Sequence, residues 1–403
     1  MAARNNSVKS YTNSRDEGAL MSRSIRSITG FICAALFCRA VLFSTAAFAA
    51  EPAPAWRAEW EKTVKAAEEE GALVIYMTQA FEPVFRDGFQ KKFPKIKVTT
   101  ATGRGPELSQ RVMSERRAEK FAVDLYISGN ISPLTVFHRA RILEPVKPLL
   151  LLPDVVDPTA WYEGKHHYDD PENRYIFVFE GTPRSGEITY NTKVVNPAEI
   201  KSYWDLLNPK WRGKIVSVDP LVSGPISAAH IFFYKHPDLG AEFLRRLHAE
   251  TDIAIVRSNE QMLDWLSAGK YAFGIGARDV DTAMMQGLPL SQFAPGSLKE
   301  GSSVTAYNGT LSYFNRAPHP NAAKVAANWL LSREGQTAWL DANQRTGGLY
   351  DSLREDISKE KVNERARRIK GAKFLWLNPA WIDDLGTIRD IIKKALASAG
   401  KGK

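Results

Sequence analysis

Apolar residues fall into two alternating rhythms along the first part of the chain. Arg57 to Glu70 is charged with sparse apolar positions, which predicts a surface helix, and Gly71 ends it. Ala72 to Met77 is a short, almost wholly apolar run, which predicts a buried strand. Phe81, Val84 or Phe85, Phe89 and Phe93 then recur at helical spacing, and Pro94 closes that segment. Ile96 to Thr100 reads as a strand, Glu107 to Ala118 as a charged helix, and Ala122 to Ile127 as a third strand ending in Ser128-Gly129-Asn130. Strand, helix, strand, helix, strand predicts α/β structure with a largely parallel sheet.

The remainder keeps this grammar with longer interruptions. Pro145 to Pro158 is a loop with four prolines. Tyr175 to Glu180 and Glu187 to Asn191 are strand-like and carry the chain toward a second lobe. Strands are predicted at Lys214 to Val218, Ile253 to Val256, Tyr271 to Ile275 and Leu311 to Phe314. Helices are predicted at Ile226 to Tyr234, Gly240 to Leu247, Gln261 to Ala268 and Asp279 to Gln286. A helical pair follows at Ala322 to Leu331 and Gly335 to Ala342. The last thirty residues read as a helical tail packed down by Trp376 and Trp381. No internal repeat is visible.

The amino terminus changes the cellular setting. Ser22 to Ala49 has arginines, a mostly apolar stretch and then Ala47-Phe48-Ala49, the three-part pattern of a cleaved secretion signal. Arg39 interrupts the apolar stretch, and Met21 is an alternative start. Both cysteines, Cys33 and Cys38, lie inside residues 1–49, so the processed chain is expected to hold no disulfide. Of 54 Lys and Arg against 45 Asp and Glu, 48 against 43 follow residue 49. That balance permits an anionic ligand, but the basic residues are interspersed with acidic ones, which speaks against nucleic-acid binding. About 350 processed residues exceed one typical core and predict two lobes.

Candidate ligand positions follow from the strand ends, because open α/β sheets bind ligands beyond the carboxyl ends of their strands. Thr78 and Gln79 follow the first strand and offer hydrogen-bond donors; the alternative is that they only cap the next helix. Gly103 and Arg104 precede the Glu107 helix, where free amides and a guanidinium suit a carboxylate or phosphate. Ser128 stands at the third strand end. Ser223 and Gly224 precede the Ile226 helix, and Arg278 follows the Tyr271 strand, where it either reaches an anion or pairs with Asp279 or Asp281. Tyr307 and Asn308 offer a hydroxyl and an amide before Gly309. Catalytic patterns are thin: Gly103-Arg104-Gly105 is not a complete dinucleotide fingerprint, and no Gly-x-Ser-x-Gly elbow is present. His166, His167, Asp169 and Asp170 form the one cluster with metal-binding residue types that merits mention.

Several segments in order carry a family resemblance. They are Glu70 to Tyr76, Phe89 to Val98, Glu107 to Lys120 followed by Val123-Asp124-Leu125-Tyr126, Ile188-Thr189-Tyr190-Asn191, Ser202 to Leu206, Trp211 to Ile215, Pro318 to Lys324 and Leu331 to Gln336. Over about Ala66 to Leu340 the chain resembles the extracellular solute-binding proteins of ABC importers, most closely the ferric-iron-type branch. The resemblance implies two α/β lobes of the periplasmic-binding-protein fold, joined by a hinge around an interlobe cleft. With residues 1–49 read as signal, the expected division is 50–180 as the first part of lobe 1, about 181–275 as lobe 2, 276–340 as the hinge return and remaining lobe segments, and 341–403 as a C-terminal helical tail. The resemblance would place Thr78, Gln79, Gly103, Arg104 and Ser128 on one side of the cleft, with Ser223 and Gly224 opposite.

One departure decides the expected ligand. Iron-binding members carry neighbouring tyrosines after the strand that corresponds to Tyr271 to Ile275, whereas this chain has Ala277-Arg278-Asp279-Val280-Asp281 and no adjacent tyrosine pair. Arginines repel a bare trivalent cation and fit an organic phosphate, phosphonate or carboxylate. The expectation is therefore a periplasmic monomer without cofactor or catalytic activity, which captures a small anionic solute and delivers it to an inner-membrane ABC permease. Alternatives are a binder of ferric iron or an iron chelate, a sensor subunit, and a secreted metal-dependent hydrolase.

Overall fold

The computed structural model describes residues 54–184, 188–222, 225–306, 308–345 and 348–400. Two separate mixed sheets organise them, each with its own hydrophobic core. The first lobe begins with the helix Ala55–Glu70, which stops at Gly71; that glycine adopts a left-handed φ of 66° and returns its N–H to Ala67. Its sheet is built from β1 (Ala72–Met77), β2 (Lys97–Thr102), β3 (Leu125–Ser128), β4 (Leu143–Glu144), β5 (His167–Tyr168) and β6 (Ile176–Val178). β7 (Thr182–Arg184) then leads out of the lobe.

The second sheet contains β8 (Ile188–Asn191), β9 (Ile215–Val218), β10 (Ala254–Val256), β11 (Phe273–Ile275) and β12 (Leu290–Gln292). β13 (Ser302–Thr305) leads back, and β14 (Thr310–Phe314) re-enters the first sheet. β15 (Phe374–Trp376) comes from the tail. The first sheet runs β2-β1-β3-β14-β6-β5, with β4 also on β14; the second runs β10-β9-β11-β8-β12. β7, β13 and β15 form a third, three-stranded sheet between them.

The predicted parallel core is present: β1 lies between β2 and β3, parallel to both. β1 is central and buries its apolar side chains, whereas β2 is an edge strand with exposed Lys97, Thr99 and Thr100. The helical run predicted at Phe81 to Phe93 spans 79–92 and contains a wider π-type turn at Phe85–Phe89. That turn keeps Phe85 and Phe89 both against Trp329. Asp124, buried at the start of β3, accepts from Val74 N (2.8 Å) and from His319 N (2.7 Å), so one carboxylate fixes β1, β3 and the entry to the helix Pro320–Leu331.

The tail serves both lobes. Leu353, Val362 and Ala366 are buried in the first core beside Trp339 and Phe81, whereas Ile388, Ile392 and Leu396 of the helix Leu385–Ser398 are buried in the second beside Phe243 and Leu247. Among the described residues no helix is long and apolar enough to cross a membrane.

Candidate functional site

Strand direction brings the carboxyl edges of the two sheets to the same connecting strands. In the first lobe β1, β2 and β3 end at Met77, Thr102 and Ser128, and β14 starts at Thr310 opposite both Ser128 and Val178. In the second lobe β9, β10 and β11 end together, and antiparallel β8 starts at Ile188 opposite Ile275. β7 follows the end of β6 and precedes β8; β13 follows β12 and precedes β14. The two joining strands therefore meet both sheets at their carboxyl edges, where α/β ligands sit.

Thr78, Gln79, Gly103, Arg104 and Ser128 all stand on this edge of the first lobe. Thr78 donates its N–H to Ile127 O (3.0 Å), but its hydroxyl is buried and has no hydrogen-bond partner. It therefore does not cap the following turn. Gln79 is exposed. Gly103 prolongs the ladder by donating to Met77 O (3.2 Å). Arg104 precedes the helix Gly105–Arg117 and is exposed; its N–H donates to the Glu107 carboxylate at 3.2 Å, so the helix's own acid occupies one of the amides at this end. Ser128 is buried, and its carbonyl accepts from the Thr310 hydroxyl (2.8 Å). Next to it the Tyr126 hydroxyl donates to Gly105 O (3.3 Å), and burial pushes that phenol upward.

On the facing edge, Arg278 is exposed and its guanidinium has no ion pair among the described residues. Its backbone is locked instead: Arg278 N donates to Asn259 Oδ1 (2.7 Å), and Asn259 Nδ2 donates to Arg278 O (3.2 Å). Asp281 pairs with Arg365, not with Arg278. Asp219, Arg257 and Ser258 share this edge at the ends of β9 and β10. Asn308 is half-buried and engaged internally, its N–H on Glu180 Oε2 (2.9 Å) and its Nδ2 on Tyr350 Oη (3.0 Å). Ser223, Gly224 and Tyr307 lie outside the described residues.

Two buried carboxylates lie beside the joining strands: Asp169, named above only within the metal-type cluster, and Glu180, which the sequence did not mark as a ligand position. Asp169 accepts from Asn130 Nδ2 (2.7 Å) and from Trp376 Nε1 (3.1 Å), and burial raises it to about 6. Glu180 accepts from the Thr182 hydroxyl (2.6 Å) and from Asn308 N, and burial raises it to about 7. Neither forms an ion pair in the described structure. The adjacency of Glu180 to a strand end was readable, but its partner Asn308 is 128 residues away.

The cluster weighed as a metal site does not converge. His166 Nε2 bonds Val155 O (3.0 Å), His167 Nε2 bonds Tyr162 O (2.9 Å), and Asp170 accepts from three backbone amides, those of Arg174, Tyr175 and Ile176. Asp169 is held as described above. Among the described residues His138, Asp170 and Glu172 approach one another, but at the amino end of β6, away from Ser128. A cavity of about 520 Å³ lies beside β5 and the tail strand, lined by Tyr162, His167, Tyr168, Val304, Phe374 and Trp376.

No family model matches this chain. Iron-bound HitA from Pseudomonas aeruginosa superposes with a TM-score of 0.54 at 20% identity, covering 80% of this chain and 99% of that one. The chain has the fold of the periplasmic solute-binding proteins. Trichodesmium IdiA (FutA), in complex with iron and citrate ligands, gives 0.56 at 18% identity over 81% and 99% of the two chains. The Bordetella ferric binding protein gives 0.57 at 18% over 80% and 98%. The two-lobed α/β architecture expected from the segment order is therefore present. Iron uptake protein A1 of Synechocystis sp. is 26% identical over 121 residues, and the match spans 30% of that relative's length.

Proposed function

We propose that this solute-binding fold serves an ABC importer as its periplasmic capture component, holding a small anionic solute between its lobes and handing it to a membrane permease. The observation that carries this reading is the pair Arg104 and Arg278. They stand on the carboxyl edges of different lobes, both are exposed, and neither guanidinium forms an ion pair in the described structure. An arginine fork without an internal partner favours planar oxyanions. The backbone lock on Asn259 fixes where Arg278 begins, which reduces the ordering cost of contact. Closure over the solute removes water from both guanidinium groups and strengthens their bonds. No covalent step is needed.

Native mass spectrometry of protein purified from its source tests this, followed by identification of the released molecule. An organic phosphate, phosphonate or carboxylate is expected. Arg104→Ala and Arg278→Ala should each weaken that solute by about 1 to 3 kcal/mol, the scale of a charge-assisted hydrogen bond. Unchanged affinity in both variants would remove the arginines from the site.

A second reading is favoured by the relatives described as iron-bound, as holding iron and citrate, and as an iron uptake protein. Here iron would enter with an anionic chelator, whose carboxylates Arg104 and Arg278 could pair. Ferric ion added alone should give no tyrosinate-to-iron absorption band, because Gly276-Ala277-Arg278-Asp279 supplies no phenolate after β11. Tight binding of ferric citrate, with none of citrate or iron alone, would select this reading over the metal-free one.

A further inference from the structure

We propose that Arg365 is a positioning residue for the cleft: carried on the first lobe by the tail, it grips the carboxyl edge of the second lobe and sets the separation of the two edges. Its base is firmly part of the first lobe. Val362 and Ala366 on either side are buried in the first core, and Arg365 N donates to Asn363 Oδ1 (2.9 Å) to fix the turn. Lys361 pairs with Asp341 (2.9 Å), and Arg368 donates to Gly181 O (2.6 Å) and Ser352 O (2.7 Å), where the chain leaves the first sheet.

Its tip belongs to the other lobe. The guanidinium donates to Gln292 Oε1 at 2.6 Å and pairs with Asp281. Gln292 is the last residue of β12, and its Nε2 donates to Thr189 Oγ1 (3.3 Å) of β8. Asp281 lies in the first turn of the helix Val280–Met285, three residues beyond Arg278. Arg365 is 26% exposed and Asp281 42%, so the pair is partly desolvated, and a second hydrogen bond fixes its direction. Such a contact forms only when the edges are near one another; opening must break an ion pair and a hydrogen bond together. Because Asp281 follows Arg278 by three residues, across the left-handed Asp279 that caps the helix, the same contact helps to fix where the proposed anion-facing guanidinium stands.

The significance for solute rests on the proposed function, but the contact belongs to the solute-free protein and is tested there. Cys33 and Cys38 are replaced by serine, and Gln110→Cys and Asp264→Cys, exposed on helices of different lobes, carry spin labels for distance measurement. Arg365→Ala and Asp281→Asn should each lengthen the mean distance and broaden its distribution. The exchanged pair Arg365→Asp with Asp281→Arg should restore the parent distance, which a merely structural loss would not allow. Circular dichroism and thermal unfolding identify any variant that fails to fold, and Asp281→Asn is the milder change should Arg365→Ala do so. An unaltered distribution in folded Asp281→Asn or Arg365→Ala overturns the proposal. Altered distances without any captured anion would leave the latch standing and reject the anion reading alone.

Discussion

Replacing Glu180 by glutamine should change the pH dependence of stability by about one proton. Glu180 is fully buried where β6 hands over to β7, and the cost of burying its charge raises it from 4.5 to about 7. Between those values the folded chain holds a proton that the unfolded chain has released. Stability from this group is therefore fully present below pH 4.5 and is lost as pH rises through about 7. At 1.36 kcal/mol per pH unit, the full effect is about 3 kcal/mol. Glutamine cannot ionise. With its carbonyl toward Asn308 N and its amide toward the Thr182 hydroxyl oxygen, it retains the geometry of the protonated acid. Urea unfolding followed by tryptophan fluorescence at half-unit steps from pH 4 to 8 reads the difference. The variant should gain on the parent by about 3 kcal/mol across the range, with most of the gain between pH 5 and 7. Taking the difference between the two curves cancels every other titrating group. Parallel curves would mean that Glu180 is charged throughout and that burial does not control it.

Other perturbations probe the surrounding packing. Gly309→Ala would drive a methyl group into the Glu180 side chain and should destabilise the fold by about 1 to 3 kcal/mol in the same urea assay. His248 is buried, its Nδ1 bonds Leu244 O (2.9 Å), and burial lowers it from 6.5 to about 4. The unfolded chain binds a proton there that the folded chain refuses, so stability is present above pH 6.5 and is lost as pH falls toward 4. His248→Phe should remove about one proton from that acid limb; an unchanged limb would clear His248 of responsibility.

The alternation from Ala72 to Ile127 was legible because β1 and β3 are buried on both faces and the helix between them has its aromatic residues on one side. Strand ends were legible for the same reason, so Thr78, Gly103, Arg104, Ser128 and Arg278 could be placed on carboxyl edges. Among the shortest strands, β6, β10 and β11 fall inside apolar runs and were legible, whereas β5 and β15 were not. β5 and β15 are too short to show a period, and their pairing depends on partners far along the chain. The tail read as helix is helical over Leu385–Ser398, but Phe374–Trp376 is a strand because β13 offers it a free edge. The pairing of Asp281 with Arg365 instead of Arg278 is likewise invisible locally: a neighbour at three residues' distance lost to one 84 positions away.

Asp169 and Glu180 explain why the joining strands carry buried acids at all. Each collects donors from segments that have no other reason to meet: Asn130 from the loop after β3 with Trp376 from the tail, and Thr182 from β7 with the backbone of Asn308 before β14. An apolar residue at either position would avoid the cost of the charge but would leave an amide, an indole N–H or a backbone N–H buried without an acceptor. Each acid is held by directional hydrogen bonds, and burial, offset only in part by those bonds and at Glu180 by the charge of Arg184, moves its titration toward neutrality. Because burial favours the neutral acid at both sites, raising the pH through about 6 and then 7 charges them and costs stability where the connecting sheet meets the carboxyl edges, whereas the contacts of Arg365 at the other lobe are retained. Raising the pH from 5 to 8 should then loosen the loop carrying Ser128 and Asn130 before it releases the second lobe, read as lower amide-exchange protection factors in that loop, and Asp169→Asn should abolish the change.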